Sequence, residues 1–194
     1  MQTLTKVYES HDVARRVVNE LETAGFPSSS ISLLANKSVS DQYADVDDAS
    51  EAGTGAGVGA AVGGAAGLLT GLGLLVIPGL GPVVAAGWLA STIVGAVAGG
   101  VTGGMVGALI DADVPEDHAN VYSEAVRRGG TLLSVRVEDN DVVLARSILD
   151  RHAAIDPVHR GSEYRESGWK QFDPAASDFV PEGIEVEQAA RRVV

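Results

Sequence analysis

The residues that most often carry chemistry are few in this sequence, and their spacing matches no known site. There is no Cys among the 194 residues, which excludes thiolate nucleophiles, disulfides and cysteine-ligated metals. His152 and His159 could meet Asp150 and Asp156 at a metal, but solvent-exposed histidines near helix ends explain the pattern better. No two of the four histidines have the i, i+4 spacing of a helical zinc site: His11, His118, His152 and His159. We therefore expect no metal site.

The abundant glycine does not form a nucleotide-binding motif. A phosphate-binding GxxxxGK[ST] loop needs a lysine that the glycine-rich segment lacks, and no GxGxxG follows a strand and opens a helix. The serines at 28–30 lack the GxSxG pattern of an acyl-transfer nucleophile. We expect no catalytic residue and no cofactor, and we predict that the protein is not an enzyme.

Charge excludes a further class of partner. The chain carries 14 Lys and Arg against 26 Asp and Glu, for a net charge of −12. A protein that binds a phosphate backbone needs an excess of positive charge instead. Nucleic acid is therefore not an expected partner.

One uncharged segment dominates the sequence. From Ala52 to Ile110 there are 59 residues without Asp, Glu, Lys, Arg or His, and they include 18 of the 24 glycines. A strong turn signal interrupts the segment. The remaining arms, Ala52–Ile77 and Val83–Ile110, are each long enough to cross a bilayer as a helix of about 40 Å. The sequence predicts two helices joined by a tight turn formed by Pro78, Gly79, Gly81 and Pro82.

Small residues recur every four positions along both predicted helices. This period places them in one stripe, where they allow a neighbouring helix backbone to approach closely. The pattern is typical of a glycine zipper, in which these positions would be the helix-packing and oligomerisation contacts: Gly55, Gly59, Gly63, Gly67, Gly71, Gly87, Ser91, Gly95, Gly99, Gly103 and Gly107.

The surroundings of such a hairpin remain open at this stage. Membrane lipid is the leading partner, because the arms have the necessary length and no charge. However, acidic residues flank both ends of the hairpin. The free energy gained by inserting the Gly-rich first arm into a bilayer is also small. A large homo-oligomer that buries its hairpins in a soluble shell, particle or filament would satisfy the same packing demand.

The flanking parts combine into an α+β domain. Thr3–Glu9 and Ile31–Ala35 are predicted strands around a helix from His11 to Ala24, which Ser10 caps and Gly25 ends. After the hairpin, a helix that starts at Pro115 precedes a strand over Thr131–Glu138. A helix capped by Asn140 and a short strand around Ile155–Arg160 follow. This order predicts a ferredoxin-like, split β-α-β domain with the hairpin inserted between its second and third strands.

The predicted boundaries follow from this order. Residues 1–37 form the first half of the ferredoxin-like domain, 38–51 an acidic leader and 52–110 the hairpin. Residues 111–172 form the second half of the domain. Residues 173–194 form a linker and a short C-terminal helix that could dock on a neighbouring subunit.

Short motifs carry a resemblance to a known family. They are Glu22-Thr23-Ala24-Gly25-Phe26, Ile31-Ser32-Leu33-Leu34, the zipper itself, Ala125-Val126-Arg127-Arg128-Gly129-Gly130 and Tyr164-Arg165-Glu166-Ser167-Gly168-Trp169. Over Thr3–Phe172 the chain resembles bacterial general stress proteins of the 17M-like, or YflT-type, group. The resemblance implies a stress-induced α/β domain with a hydrophobic hairpin, and it implies no catalytic residues.

The sequence predicts a non-enzymatic stress-response protein that self-assembles through its hairpin at the cytoplasmic membrane. Its termini and soluble domain would lie in the cytoplasm, since the first residues do not form a secretory signal. A soluble cytoplasmic assembly is the alternative. A small-ligand-sensing ferredoxin-like module is a further alternative, which rests on analogy of fold alone.

Overall fold

The fold is α+β, with a five-stranded antiparallel sheet between two layers of helices. A computed structural model describes residues 1–36, 73–98, 104–176 and 179. The strands are β1 (Gln2–Tyr8), β2 (Ile31–Asn36), β3 (Gly73–Ile77), β4 (Gly81–Ala86) and β5 (Thr131–Val137). The helices are α1 (His11–Thr23), α2 (Trp88–Ala98), α3 (Gly104–Ile110), α4 (Glu116–Arg127), α5 (Val142–Leu149) and α6 (Pro157–Glu166).

The sheet has the order β1-β5-β2-β4-β3, and every neighbouring pair is antiparallel. Strand β5 lies between β1 and β2, with Leu133 opposite Lys6 on one side and Leu33 on the other. Strands β1 and β2 are therefore parallel to each other, and α1 connects them across one face. The two predicted strands around α1 and the strand after α4 are confirmed.

Local signals at the helix ends act as the sequence predicts. The Ser10 hydroxyl accepts a hydrogen bond from the Val13 amide at 3.4 Å and caps α1. Gly25, at φ +99°, ends that helix, and Pro115 is the N-cap of α4. Gly129, at φ +106°, follows the end of α4 in the same way. Left-handed backbone of this kind is typical of glycine after a helix, because other residues place a Cβ against the chain.

Each face of the sheet has its own hydrophobic core. On one face, α1 and α5 contribute Val17, Leu21 and Ile148, which pack with Leu133. On the other face, buried residues of β4, α2, α3 and α4 join those of the sheet in a second cluster, for example Val83, Leu89, Leu109, Val126 and Leu132. The described part of the uncharged segment thus shares one core with the flanking halves.

The prediction of two long helices over Ala52–Ile77 and Val83–Ile110 is wrong next to the turn, at residues 73–77 and 83–86, whereas residues 88–98 and 104–110 are helical as predicted. Both sides of the predicted turn are strands, β3 and β4, which pair with Leu75 opposite Val83. The free edge of β2 binds β4, with Ala35 opposite Val84, and this supplies the backbone hydrogen bonds that a helix would have made internally. Short apolar runs rich in β-branched residues fit either structure by periodicity alone.

The turn itself lies where the sequence places it. The Leu80 amide donates to the Ile77 carbonyl at 3.0 Å, and Gly79 and Gly81 have φ values of +79° and +73°. Pro78 and Pro82 flank these glycines, so the four predicted turn residues lie together at the tip of the β3–β4 hairpin.

The predicted strand around Ile155–Arg160 is also wrong. Asp156 caps α6 instead, and its carboxylate accepts hydrogen bonds from the amides of Val158 at 2.9 Å and His159 at 2.8 Å. A proline at the first helical position, here Pro157, favours a helix start. What remains of a strand is an isolated antiparallel bridge between Ala154 and Tyr8. The N-cap of α5 is Asp141 rather than Asn140.

Two predicted segments lie almost wholly outside the described residues. They are the acidic leader at 38–51 and the region beyond 176, of which the structure describes Phe179 alone. Among the helices that the structure describes, none combines the length and the apolar character needed to cross a bilayer.

Candidate functional site: the outer face of helix α2

Helix α2 begins at a tightly constrained point. Gly87 precedes it at φ +90°, and a Cβ built on this residue would lie 2.3 Å from the Ile31 carbonyl oxygen. The Trp88 indole then donates to the Ser30 carbonyl at 3.2 Å, and the Arg136 guanidinium lies 3.5 Å from the centre of the Trp88 rings. These contacts fix the first turn of α2 against the sheet.

The two faces of α2 differ sharply. Leu89 and Ile93 are fully buried against the sheet, whereas Ser91 and Gly95 are exposed on the opposite side. A Cβ built on Gly95 would meet no atom within 4 Å among the described residues. The outer face of α2, defined here by Ser91 and Gly95, therefore presents small side chains and no charge.

Helix α1 shows how an ordinary outer face looks in this same protein. Its exposed positions carry Asp12, Arg15, Arg16 and Asn19. Charged outer faces of this kind are normal for helices that contact water. The uncharged outer face of α2 thus differs from the charged outer face of α1.

The predicted zipper residues have different outcomes. Ser91 and Gly95 lie one turn apart on α2, and Gly107 lies on α3 with open space around it. The prediction for Gly87 is wrong, because its positive φ and its contact with Ile31 place it before the helix as a backbone requirement of the sheet. The other positions lie outside the described residues: Gly55, Gly59, Gly63, Gly67, Gly71, Gly99 and Gly103.

The start of β3 lies close to the start of α2. Gly73, the first residue of β3, is paired with Ala85, and α2 begins only three residues after Ala85. Strand β3 therefore begins beside the start of α2. The hairpin tip at Gly79 lies at the other end of these strands.

That hairpin tip is covered by the chain itself. A Cβ on Gly79 would lie 2.6 Å from the Pro174 Cα, and Phe172 is buried beside it. The Phe172 amide donates to the Asn120 side-chain oxygen at 3.2 Å, which anchors the covering segment to α4.

A buried charge cluster holds the far end of α4, and the sequence analysis did not identify it. The Glu124 side chain, only 1% exposed, accepts from Arg127 Nη2 and Arg128 Nε, both at 2.7 Å. Arg128 also stacks on Tyr164 of α6, 4.4 Å from the ring centre. The i+3 and i+4 spacing of the two arginines from Glu124 was the available signal. The cluster connects α4 to α6 through Arg128, and we assign it a structural role.

The histidines and tyrosines have structural partners too. His152 Nε2 lies 2.7 Å from Glu20, and this hydrogen bond is the main reason why the pKa of Glu20 lies below its usual value. Burial raises the pKa of Tyr122 to about 12 and that of Tyr8 still further. The Tyr8 hydroxyl donates to the Leu149 carbonyl at 2.9 Å. The described part of the chain contains no group of three potential metal ligands.

The burial of His11 should make the protein less stable in acid. Burial lowers its pKa to about 4, with a further effect from Arg15, whereas the unfolded chain has a value near 6.5. The unfolded state binds more protons between these values, so the free energy of unfolding should fall by about 3 kcal/mol as the pH drops from 7 to 4. Urea unfolding at several pH values measures this effect.

The variant His11→Gln should lose that part of the pH dependence. His159→Gln is the matched control, because it makes the same substitution at a solvent-exposed histidine. An identical slope in His11→Gln and in the unmodified chain would contradict the assignment.

No family model, curated protein or solved structure matches this chain. The structure shows an α+β protein in which the described residues of α2 and α3 carry no charge.

Proposed function

We propose that this protein acts by self-association rather than by catalysis, and that the outer face of α2 is the contact surface. The observation that carries the proposal is the exposure of Ser91 and Gly95 on a helix without any charge. Burying such a face does not remove a charged group from water. Its small side chains also permit another backbone to approach closely.

The uncharged segment 52–72 supplies the matching surface. It has 21 residues, of which eight are glycine, and the small residues at 55, 59, 63, 67 and 71 repeat every four positions. As an isolated helix it would be disfavoured by about 8 kcal/mol relative to alanine, so packing must compensate. Because β3, which follows this segment, begins beside the start of α2, we propose that the segment packs on the outer face of α2 of a neighbouring copy.

The sheet beneath α2 supports this contact surface. We propose that β1, α1, β2 and β5 form a ferredoxin-like core whose fourth strand is reduced to the bridge between Ala154 and Tyr8. The β3–β4 hairpin extends this core at β2. Strands β3 and β4 occupy the positions where the sequence pattern predicts helix on both sides of the turn. The rows of small residues on helices are therefore shorter than the sequence pattern suggests.

The substitution Gly95→Leu tests the contact surface. A leucine there points into open space in the described structure, so the fold should remain stable while close helix approach is blocked. We expect the association constant, measured by sedimentation velocity over a range of concentrations, to fall at least tenfold.

Ser147→Leu is the matched control, because Ser147 is an exposed position on α5 and gains a leucine in the same way. It should associate like the unmodified chain. Equal association of the Gly95→Leu variant and the unmodified chain would exclude the outer face of α2 as the contact.

Membrane association is a second candidate, which the length of the uncharged segment favours. As a helix, 21 residues extend about 32 Å, close to the thickness of the hydrocarbon core. In this case the α+β domain would lie on the cytoplasmic side. Flotation with anionic and neutral lipid vesicles tests it, and protein that stays at the bottom of both gradients supports a lipid-free assembly.

The proposed role in a stress response rests on the resemblance of short motifs to the general stress proteins. It predicts that the protein accumulates when growing cells meet salt, heat or solvent stress. Quantitative mass spectrometry before and after each treatment measures this, and constant abundance under all three would argue against the role.

A further inference from the structure

The two edges of the sheet differ in how they are protected. Strand β1 forms one edge, and it carries Lys6, which pairs with Asp150 at 2.9 Å. The Ile155 amide donates to the Val7 carbonyl of the same strand at 2.7 Å, so the chain itself covers part of this edge. Charged side chains and covering segments of this kind keep other strands from adding to a sheet. The β1 edge is therefore protected.

The edge at β3 has none of these features. Within the part of the chain that the structure describes, no strand lies beyond β3 in the sheet. Residues 73–77 include neither a charged residue nor a proline, and the Val76 side chain is 70% exposed. An edge strand without charge or proline readily accepts a further strand.

The backbone groups of Leu74 and Val76 point to this free edge. Val76 lies opposite Pro82 of β4, and because proline has no amide hydrogen, these two residues do not exchange hydrogen bonds. In an antiparallel ladder, hydrogen-bonded pairs alternate with pairs that are not hydrogen-bonded. The odd-numbered residues of β3 therefore bond to β4, which leaves the amides and carbonyls of Leu74 and Val76 for a strand on the other side.

A second copy of the chain is the partner that fits this edge. The chain's own segment 52–72 is a poor strand, because eight of its 21 residues are glycine, which is depleted in strands. Each copy has a net charge of −12, so two copies approach with least repulsion where neither carries a charge. Strand β3 meets this condition, since residues 73–98 contain no charged side chain.

A two-fold axis at Leu75 gives this pairing its register. With the two strands antiparallel, Leu74 of each copy lies opposite Val76 of the other copy, and Leu75 lies opposite its equivalent. Residues whose backbone groups face outward are thus paired with each other. Every outward amide and carbonyl of β3 finds a partner in this register.

We propose that β3 pairs with β3 of a second copy in this way, so that the five-stranded sheets of two copies join into one continuous sheet. This inference rests on the proposed self-association and adds a second contact between the same two copies. Because β3 has only five residues, its pairing alone is weak. Each contact holds the two copies together and raises the effective concentration for the other contact, so the loss of either weakens association.

The substitution Val76→Pro tests the pairing. It removes an amide hydrogen that faces the free edge and takes no hydrogen bond from the ladder between β3 and β4, so the fold should remain. We expect the association constant, measured by sedimentation velocity over a range of concentrations, to fall at least tenfold. The far-ultraviolet circular dichroism spectrum should be unchanged.

Two control variants accompany this measurement. Val76→Thr keeps the amide hydrogen, and Thr3→Pro removes one from the opposite edge, where Thr3 faces outward as Val7 does. Both should associate like the unmodified chain. Association that Gly95→Leu weakens and Val76→Pro does not would overturn the β3 pairing and leave the contact at α2 in place. A chain that is monomeric at every concentration would contradict both proposals.

A spin label at position 76 tests the register without the proline variant. The chain has no Cys, so Val76→Cys provides a single attachment site on an exposed side chain. In the proposed register the two labelled Cα atoms are about 8 Å apart, from one strand spacing and two residues of rise. The associated protein should show dipolar broadening that disappears when excess unlabelled chain is added.

Ser147→Cys carries the same label at an exposed position on α5 and should give a spectrum without broadening. A spectrum without broadening at position 76 in the associated protein would overturn the proposal. Equal broadening at positions 76 and 147 would overturn it as well, because it would show contact without the β3 register.

Discussion

Replacing Gly87 with alanine should lower the free energy of unfolding by 3 kcal/mol or more. The added Cβ would approach the Ile31 carbonyl oxygen to 2.3 Å and the Ser32 Cα to 2.8 Å, and neither backbone group can move without disturbing β2. Left-handed backbone at φ +90° adds a further cost of about 1 kcal/mol for a residue with a side chain. Urea unfolding followed by circular dichroism measures the change.

Gly168→Ala is a closely matched control for this prediction. Gly168 has the same φ of +90°, but a Cβ there meets no atom within 4 Å. It should cost only about 1 kcal/mol, so the difference between the two variants isolates the steric contact with β2. Equal losses in both would mean that α2 does not begin against the sheet as described.

Glu124→Gln should destabilise the protein by about 2 to 4 kcal/mol. The substitution keeps the shape of the side chain but leaves the Arg127 and Arg128 guanidinium groups, which are 16% and 31% exposed, without their shared carboxylate. Removing one partner of a buried ion pair usually costs more than the pair contributes, because the remaining charge stays desolvated. Thermal unfolding and urea titration should both report the loss.

Glu163→Gln provides the comparison at an exposed ion pair. Glu163 lies 2.9 Å from Arg160 but is half exposed, and pairs of this kind contribute less than about 1 kcal/mol. A Glu124→Gln variant as stable as Glu163→Gln would contradict the buried cluster that joins α4 to α6.

The elements that depend on local signals could be predicted from the sequence. Helix α1 has its cap at Ser10 and its stop at Gly25, and β5 alternates between the two faces of the sheet. In both cases the residues that determine the structure lie within a few positions of it. The tip of the β3–β4 hairpin was predictable for the same reason.

Elements that depend on distant partners could not be predicted in this way. Residues 73–77 and 81–86 are strands because β2 offers an edge to β4, and β2 lies almost 50 residues earlier. A run without charge carries no periodic signal of which face will be buried, so helix and strand fit it equally. The prediction of a strand around Ile155–Arg160 was wrong because of a local signal. Asp156 and Pro157 form a helix start, and this outweighs the β propensity of the segment.

The candidate site was predictable in part. The four-residue spacing identified Ser91 and Gly95, which the structure places together on an exposed helix face. The same spacing included Gly87, but there a glycine is required because a Cβ would collide with the Ile31 carbonyl oxygen. A period in the sequence cannot separate a glycine needed for contact with another helix from one needed by its own backbone.

The mass of the unmodified full chain in detergent-free solution tests the central claim most directly. The proposed contact at the outer face of α2 predicts particles whose mass is a multiple of 19.9 kDa, in sedimentation equilibrium runs at micromolar concentration. It also predicts that they dissociate when Gly95 carries a leucine. A single species of 19.9 kDa at every concentration would contradict the account.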